Sequence, residues 1–306
     1  MIIHIFIINP IAGLKDRSES IRVFLEKKEK MQYLVFDTEE NNGEVELVTK
    51  MQRLFSDDNV RYYICGGSGT FFNSLSSIDD LSKVEIAHFP CGATNDFIKI
   101  FGKSRKYFYN LDNLVRGDSV PLDYLHGTDC KSAIFISAGL TARIENVVGK
   151  MKFLLGLSSV FTYSLAFIFT FLFNPCYEYL VEIDGEDYSG EYGMIYMGNA
   201  IVIGGQYCPF PKASQTDGLM EIMLLKKINN MRLLKFIQYF KHGEMDKMQD
   251  SVIYRKAKKI SFARKDGKEI LLNCDGDMIT RSKFECEVRN KEMNFVVPRG
   301  AELLNQ

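Results

Sequence analysis

The residues best suited to chemistry are glycines and small hydroxyl side chains gathered just after apolar runs. Gly66, Gly67, Ser68, Gly69 and Thr70 follow Val60, Tyr62, Tyr63 and Ile64, with Cys65 between. The apolar run reads as a buried strand. Three glycines in four positions permit positive φ and close approach of the backbone. A strand, a glycine turn and a helix start together aim N–H groups at an anion, phosphate above all. A second small-residue loop, Cys91, Gly92, Ala93, Thr94, Asn95 and Asp96, follows the next apolar run. Two such loops lie side by side at the carboxyl edge of a parallel sheet, where open α/β sheets bind ligands. A plain tight turn remains the alternative for either loop by itself. A Walker A loop would need Gly-Lys-Ser/Thr where Gly69, Thr70 and Phe71 stand, and a dinucleotide fingerprint would need glycine where Phe72 stands.

The elements that must carry these loops alternate. Residues 2–8 and 33–36 read as strands, 17–31 as an amphipathic helix, and the stretch after Gly43 as a helix with Val45, Val48, Met51, Leu54 and Phe55 inward. A helix from Thr70, a strand at 84–89 and a short helix at 95–101 follow, which implies a parallel sheet covered on both faces. After Leu111 the rhythm changes to strands with few helices. Residues 120–124, 132–140, 177–183, 193–197, 219–225, 260–262, 270–272 and 284–288 read as strands, with Asp184-Gly185 and Asp266-Gly267 as turns and one helix at 229–242. The boundaries expected are 1–121 for a first α/β domain and 122–290 for a β-rich second one. A cleft between them is the default site.

The chain has 306 residues, enough for two cores, and 46% of them are hydrophobic. A formal net charge of −1 speaks against a nucleic-acid partner. The 7 cysteines form no C-x-x-C pair, which favours a reducing, cytoplasmic setting over a disulfide framework or zinc site. The 4 histidines are isolated. Phe153–Phe173 carries no charged residue and is long enough to span a bilayer. A single span would put the glycine loops and the late motifs on opposite sides. The expectation is therefore a packed helix with part of one face open to lipid, flanked by Lys150 and Lys152.

Five motifs in order resemble the bacterial soluble diacylglycerol kinase family, relatives of sphingosine kinases and distantly of NAD kinases. Asn9-Pro10-Ile11-Ala12-Gly13 is similar to its N-P-x-A-G opening, Cys65–Thr70 to its G-G-D-G-T loop, and Pro90–Phe97 to its P-x-G-T-x-N-D-F loop. Asn199–Leu219 is similar to its N…G-G…P-x-A…D-G-L segment, and Asn273–Asp277 to its D-G-E motif. The resemblance implies an α/β fold: an N-terminal Rossmann-like parallel-sheet domain plus a mainly antiparallel β-sandwich, with 291–306 returning to the first. It implies ATP and Mg2+ as cofactors and transfer of the γ-phosphoryl group to a lipid hydroxyl, diacylglycerol giving phosphatidic acid. Asn9, Thr38, Gly66, Gly67, Ser68, Gly69, Thr70, Gly92, Thr94 and Asn95 match nucleotide-binding positions. Asp96 matches a substrate position, Asp217 and Asp277 metal positions, and Asp275 the general base, for which a hairpin turn is the alternative. The partner implied is a lipid presented by a membrane surface, met peripherally at its inner face through 153–173; a homodimer is a further expectation.

The chain departs from the family pattern at four places. Ser68 replaces the loop aspartate, Ala93-Thr94 shifts the second loop's hydroxyl by one position, Ser137 stands where Asn is common, and Asp277 replaces Glu. Two other functions therefore stay open: a nucleotide- or lipid-binding relative without turnover, and a kinase of a soluble substrate similar to NAD kinase.

Overall fold

The computed structural model describes residues 2–39, 43–92, 95–155, 175–203 and 207–303. The chain forms two compact units: Met1–Tyr124 with Gln215–Asp217 and Arg289–Gln306, and Leu125–Ser214 with Gly218–Val288.

In the first unit, β1 (Ile2–Ile8), α1 (Ser18–Glu26), β2 (Tyr33–Asp37), α2 (Gly43–Leu54), β3 (Asn59–Gly66), α3 (Ser68–Ser77) and β4 (Glu85–Pro90) alternate. The strands are parallel in the order β2-β1-β3-β4. Ile8 stands opposite both Asp37 and Cys65, and Gly66 opposite Pro90, so the four strands end together. Ile5, Ile7, Tyr62, Tyr63 and Ile64 are wholly buried, as expected for a parallel sheet covered on both faces. A 3-10 stretch at Phe97–Tyr109, α4 (Leu111–Val115) and β5 (Asp118–Gly127) follow. One buried cation ties this unit together. Arg61 Nε donates to Glu85 Oε2 at 2.5 Å, while its Nη1 donates to the carbonyls of Val115 at 3.2 Å and Gly117 at 3.1 Å.

The second unit contains β6 (Cys130–Ser132), β7 (Phe135–Gly139), α5 (Leu140–Leu155), β8 (Tyr177–Ile183), β9 (Glu186–Asp187), β10 (Gly190–Gly198), β11 (Met220–Lys226) and α6 (Asn230–His242). It continues through β12 (Val252–Ala257), β13 (Lys259–Arg264), β14 (Ile270–Cys274), β15 (Asp277–Arg281) and β16 (Lys283–Val297). The pairing is antiparallel: β15-β14-β7-β10, with β11 and β12 beyond β10, and β10-β8-β13-β16 on the other side. Alternate residues supply a β-sandwich core, among them Ile136 and Ala138 of β7, Leu272 and Cys274 of β14, and Ile195 and Met197 of β10. Strand β16 serves both units in turn. Lys283–Glu287 pair with β13, and Phe295 pairs in parallel with Ile86 of β4.

Several elements differ from the expectation. Helix α1 is shorter than 17–31, ending at Glu26. In α2, Val45 and Leu54 are exposed rather than inward, at 36% and 61%. Glu44 turns in instead and accepts from Asn73 Nδ2 at 2.8 Å, which rotates Val45 outward, and Leu54 ends the helix at its rim. The helix expected at 95–101 is a longer 3-10 stretch bent at Gly102, whose φ is 52°. Strand β12 was not expected, because Arg255 and Lys256 interrupt its apolar pattern.

Arg61→Met leaves Glu85 and two carbonyls without their donor. It lowers unfolding stability by about 3–5 kcal/mol, the usual penalty for breaking a buried ion pair, as read from urea denaturation. A loss under about 1 kcal/mol would show that water takes over these groups.

Candidate active site

The strand ends of the first unit bring its predicted loops into direct contact. Asn9 follows β1; its backbone N–H donates to Cys65 O at 2.9 Å and its Nδ2 to Thr70 Oγ1 at 2.9 Å. Thr38 follows β2 and donates its N–H to Ile8 O at 2.7 Å. Gly66 closes β3, and its carbonyl is shared: Cys91 N donates at 2.9 Å and Gly92 N at 3.3 Å, with His88 Nε2 at 3.2 Å. Burial pushes His88 down to about 4, so the ring is neutral at pH 7 and its Nε2–H can donate. Gly13 closes the third side. Its φ is 81°, and a Cβ there would sit 2.2 Å from Cys91 O.

Within this edge Gly67 caps α3 with no side-chain hydrogen bond, which leaves the first-turn N–H groups for a ligand. A Cβ at Gly69 would meet nothing within 4 Å. No packing demand therefore selects glycine there, whereas close approach of a ligand would. Asn95 donates Nδ2 to Gly92 O at 2.9 Å, and its buried Oδ1 finds no donor among the described residues. An uncapped helix start, an open glycine and an orphaned acceptor fit the phosphates and hydroxyls of a nucleotide. Ser68 lies between the loops: Asp96 N donates to its Oγ at 2.9 Å, and its hydroxyl reaches Asp96 Oδ2 at 3.4 Å. Asp96 is also paired with Lys99 Nζ. Thr94, and with it Ala93, lies outside the described residues.

Asp275 belongs to the second unit and occupies the two-residue turn between β14 and β15. Its φ is 51° and that of Gly276 is 109°, so the hairpin-turn reading of this pair is observed directly. Its carboxylate is also used. Oδ2 accepts from Ala133 N at 2.8 Å and Ile134 N at 3.3 Å, and Oδ1 from Phe135 N at 2.8 Å. Burial pushes the carboxyl up to about 7; these N–H donors and the Ser132 hydroxyl hold it back. Asn273, two residues earlier, accepts from Gly276 N at 2.7 Å through Oδ1 and fixes the turn. Its Nδ2 and the hydroxyl of Ser137, its register partner on β7, are buried without a partner among the described residues.

The two carboxylates expected at a metal fall in different units. Asp217 is in the first, Asp277 in the second, and both are exposed. Among the described residues no three His, Cys, Asp or Glu side chains gather as a metal cluster. Mg2+ is ordinarily held by one or two carboxylates together with substrate phosphates, and exposed carboxylates are suitable oxygen donors for that arrangement. A buried carboxylate of the first unit, Asp123, escaped the sequence reading. Asp123 is wholly buried; its N–H donates to Gln215 O at 2.7 Å, and its Oδ1 accepts from Lys291 N at 2.7 Å. It thereby ties the Asp217 segment and the returning C-terminal strand into the first unit. The only sequence signal is a lone acid in the apolar run Leu122–Leu125. The apolar segment at 153–173 lies outside the described residues from 156 onward; among the described residues no helix is long and apolar enough to cross a membrane.

The first unit is thus a parallel α/β layer with phosphate-type loops, and the second an antiparallel sandwich carrying a buried acid. Residues 4–126 match the model of the diacylglycerol kinase catalytic domain, and residues 134–297 that of the YegS C-terminal NAD kinase beta sandwich-like domain. The chain belongs to the family of diacylglycerol kinase-like lipid kinases that join these two domains. "Diacylglycerol kinase" of Bacillus subtilis (strain 168) is 27% identical, over 69% of this chain and 69% of that protein. "Probable lipid kinase YegS-like" of Shewanella frigidimarina (strain NCIMB 400) is 27% identical over 81% and 80%. A relative from Staphylococcus carnosus (strain TM300) is 29% identical, but the match spans 57% of this chain and 56% of that protein's length. Two solved chains from Bacillus anthracis str. Sterne, the second described as a diacylglycerol kinase, share the fold at TM-scores of 0.74 and 0.69, with 19% and 16% identity and 98% of each chain covered.

Two glycines of this edge should answer differently to alanine. Gly13→Ala forces a strained backbone against Cys91 and lowers stability by about 1–3 kcal/mol. Gly69→Ala leaves thermal stability equal or slightly higher, and a ligand seated on this turn would bind the variant more weakly; calorimetry with ATP as the probe checks this, and an affinity equal to that of wild type would remove Gly69 from the ligand surface. For Asp275 the sign follows from a folded value near 7 against an unfolded value near 3.8. Between those limits folding takes up a proton. Wild type therefore loses stability relative to Asp275→Asn as pH rises from about 4 to about 7, by at most about 1.4 kcal/mol per pH unit, and levels off above. A difference in melting temperature that does not change with pH would contradict this.

Proposed function

We propose that the chain transfers the γ-phosphoryl group of ATP to the hydroxyl of a lipid held at a membrane surface, with diacylglycerol as substrate and phosphatidic acid as product. Phosphoryl transfer asks the protein mainly to position phosphates and to orient or deprotonate the attacking hydroxyl. The Gly66–Thr70 and Gly92–Asn95 loops would hold the phosphates, with Asn9 and Thr38 at the nucleotide's flank and Asp96 toward the substrate. Asp217 and Asp277 would hold Mg2+, which supplies positive charge to the phosphate oxygens. Asp275 would accept the hydroxyl proton. The single observation that supports this reading is its carboxyl, fixed by three backbone N–H groups and pushed up to about 7, a value suited to a base at neutral pH.

The second reading, a relative with weak turnover, is favoured by Ser68. The loop lacks the family's aspartate, and the neighbouring Asp96 is already matched by Lys99. Less negative charge is left for a metal there.

One assay addresses both: labelled ATP and Mg2+ with diacylglycerol, monoacylglycerol, phosphatidylglycerol and sphingoid bases in mixed micelles. Diacylglycerol is phosphorylated, and Asp275→Asn lowers the rate by about 10²–10⁴. Ser68→Asp raises the rate, most at limiting Mg2+. Full activity in Asp275→Asn removes Asp275 as base. ATP binding with no product from any lipid overturns the kinase reading in favour of the second.

A further inference from the structure

A pair of thiols abuts the Asp275 turn. Among the described residues all seven cysteines are free. Cys130 opens β6 and Cys274 closes β14, and although 144 positions separate them their sulfurs are 3.0 Å apart. A disulfide needs about 2.05 Å, so about 1 Å of movement would bond them. The sulfur of Cys130 packs close to Gly127, where a Cβ would meet it at 2.8 Å and would also meet the Phe284 ring. The two sit in unequal surroundings. Cys130 is partly exposed, while Cys274 is buried, with its thiol pushed up by the hydrogen bond to Cys130 and by burial.

Both neighbours of this pair belong to one device. Cys130 lies three residues before Ala133, the first of the three N–H donors to Asp275, and Cys274 is bonded directly to Asp275 in the chain. A covalent link between the sulfurs would join the segments that are otherwise held by hydrogen bonds to a single carboxylate.

We infer that Cys130 and Cys274 are a modification site for hydroperoxides, and that the disulfide formed there locks the Asp275 turn against residues 133–135. Cys130 Sγ meets the oxidant first. It attacks the terminal peroxide oxygen, the O–O bond breaks, and the products are a sulfenic acid on Cys130 and an alcohol, or water from hydrogen peroxide. Cys274 Sγ then attacks the sulfenic sulfur. The S–S bond forms, the S–O bond breaks, and the thiol proton leaves with the hydroxyl as water. The two sulfurs together lose two electrons and the peroxide gains them. A small dithiol reverses the bond by exchange.

The inference stands apart from the phosphotransfer reading, because its test needs no enzyme activity. The full chain is exposed to hydrogen peroxide, free thiols are blocked with N-ethylmaleimide, and tryptic peptides are mapped without reduction. The expected product is the Cys130 peptide joined to the Cys274 peptide, absent after dithiothreitol and absent in Cys130→Ser, but retained in Cys286→Ser. Hydrogen–deuterium exchange of the oxidised chain is expected to slow at residues 133–135 and to recover on reduction. A Cys130 that reaches the sulfinic acid unlinked, a link to Cys286 or another cysteine, or exchange at 133–135 that is unchanged or faster would each overturn it. If Cys130→Ser does not fold, the wild-type peptide map and exchange decide the matter.

Discussion

The junction of the two glycine loops in the first unit depends on one carbonyl. Gly66 O accepts N–H groups from Cys91, Gly92 and the buried, neutral His88. Those bonds hold the second loop against the first, and the Asn9 amide holds the first strand's exit against the same turn. A carbonyl has two lone-pair directions, and a buried one left without donors is costly. The loops therefore cannot part without exposing or orphaning that group. Such a restraint keeps N–H groups aimed before any ligand arrives, which is what phosphate recognition through the backbone requires.

The second unit solves a related problem with a side chain. Three successive N–H groups, at 133–135 where β7 begins, donate to one side chain, and Asp275 accepts them with both its oxygens. The left-handed backbone of Asp275 is tolerated because this carboxylate and the Asn273 amide over-determine the turn. Turn residue and proposed base are thus compatible descriptions of one side chain. Burial that would otherwise only penalise a carboxylate also brings its proton affinity near neutral pH.

The parallel layer was legible in the sequence because its apolar runs and glycine loops alternate with little ambiguity, and the order of motifs identified the family. The antiparallel unit was legible strand by strand, but not in its pairing: nothing local says that Asn273 stands opposite Ser137, or that Cys274 meets Cys130. Val45 and Leu54 misled because helical spacing alone does not reveal that Glu44 is drawn inward by Asn73. Asp123 was missed for the same reason; its partners Gln215 and Lys291 are far along the chain. Ser68 was visible as a departure. Its contacts with the Asp96 amide and carboxylate show how a serine can keep the loops joined while removing a charge from between them.

The central claim is that the two glycine loops and the Asn9 turn form one nucleotide cradle. Hydrogen–deuterium exchange of the full chain with and without ATP and Mg2+ tests it most directly. The account predicts that nucleotide slows exchange together at residues 9–13, 66–70 and 91–96. Protection confined to one of these segments, or found only within residues 125–214 and 218–288, would contradict it.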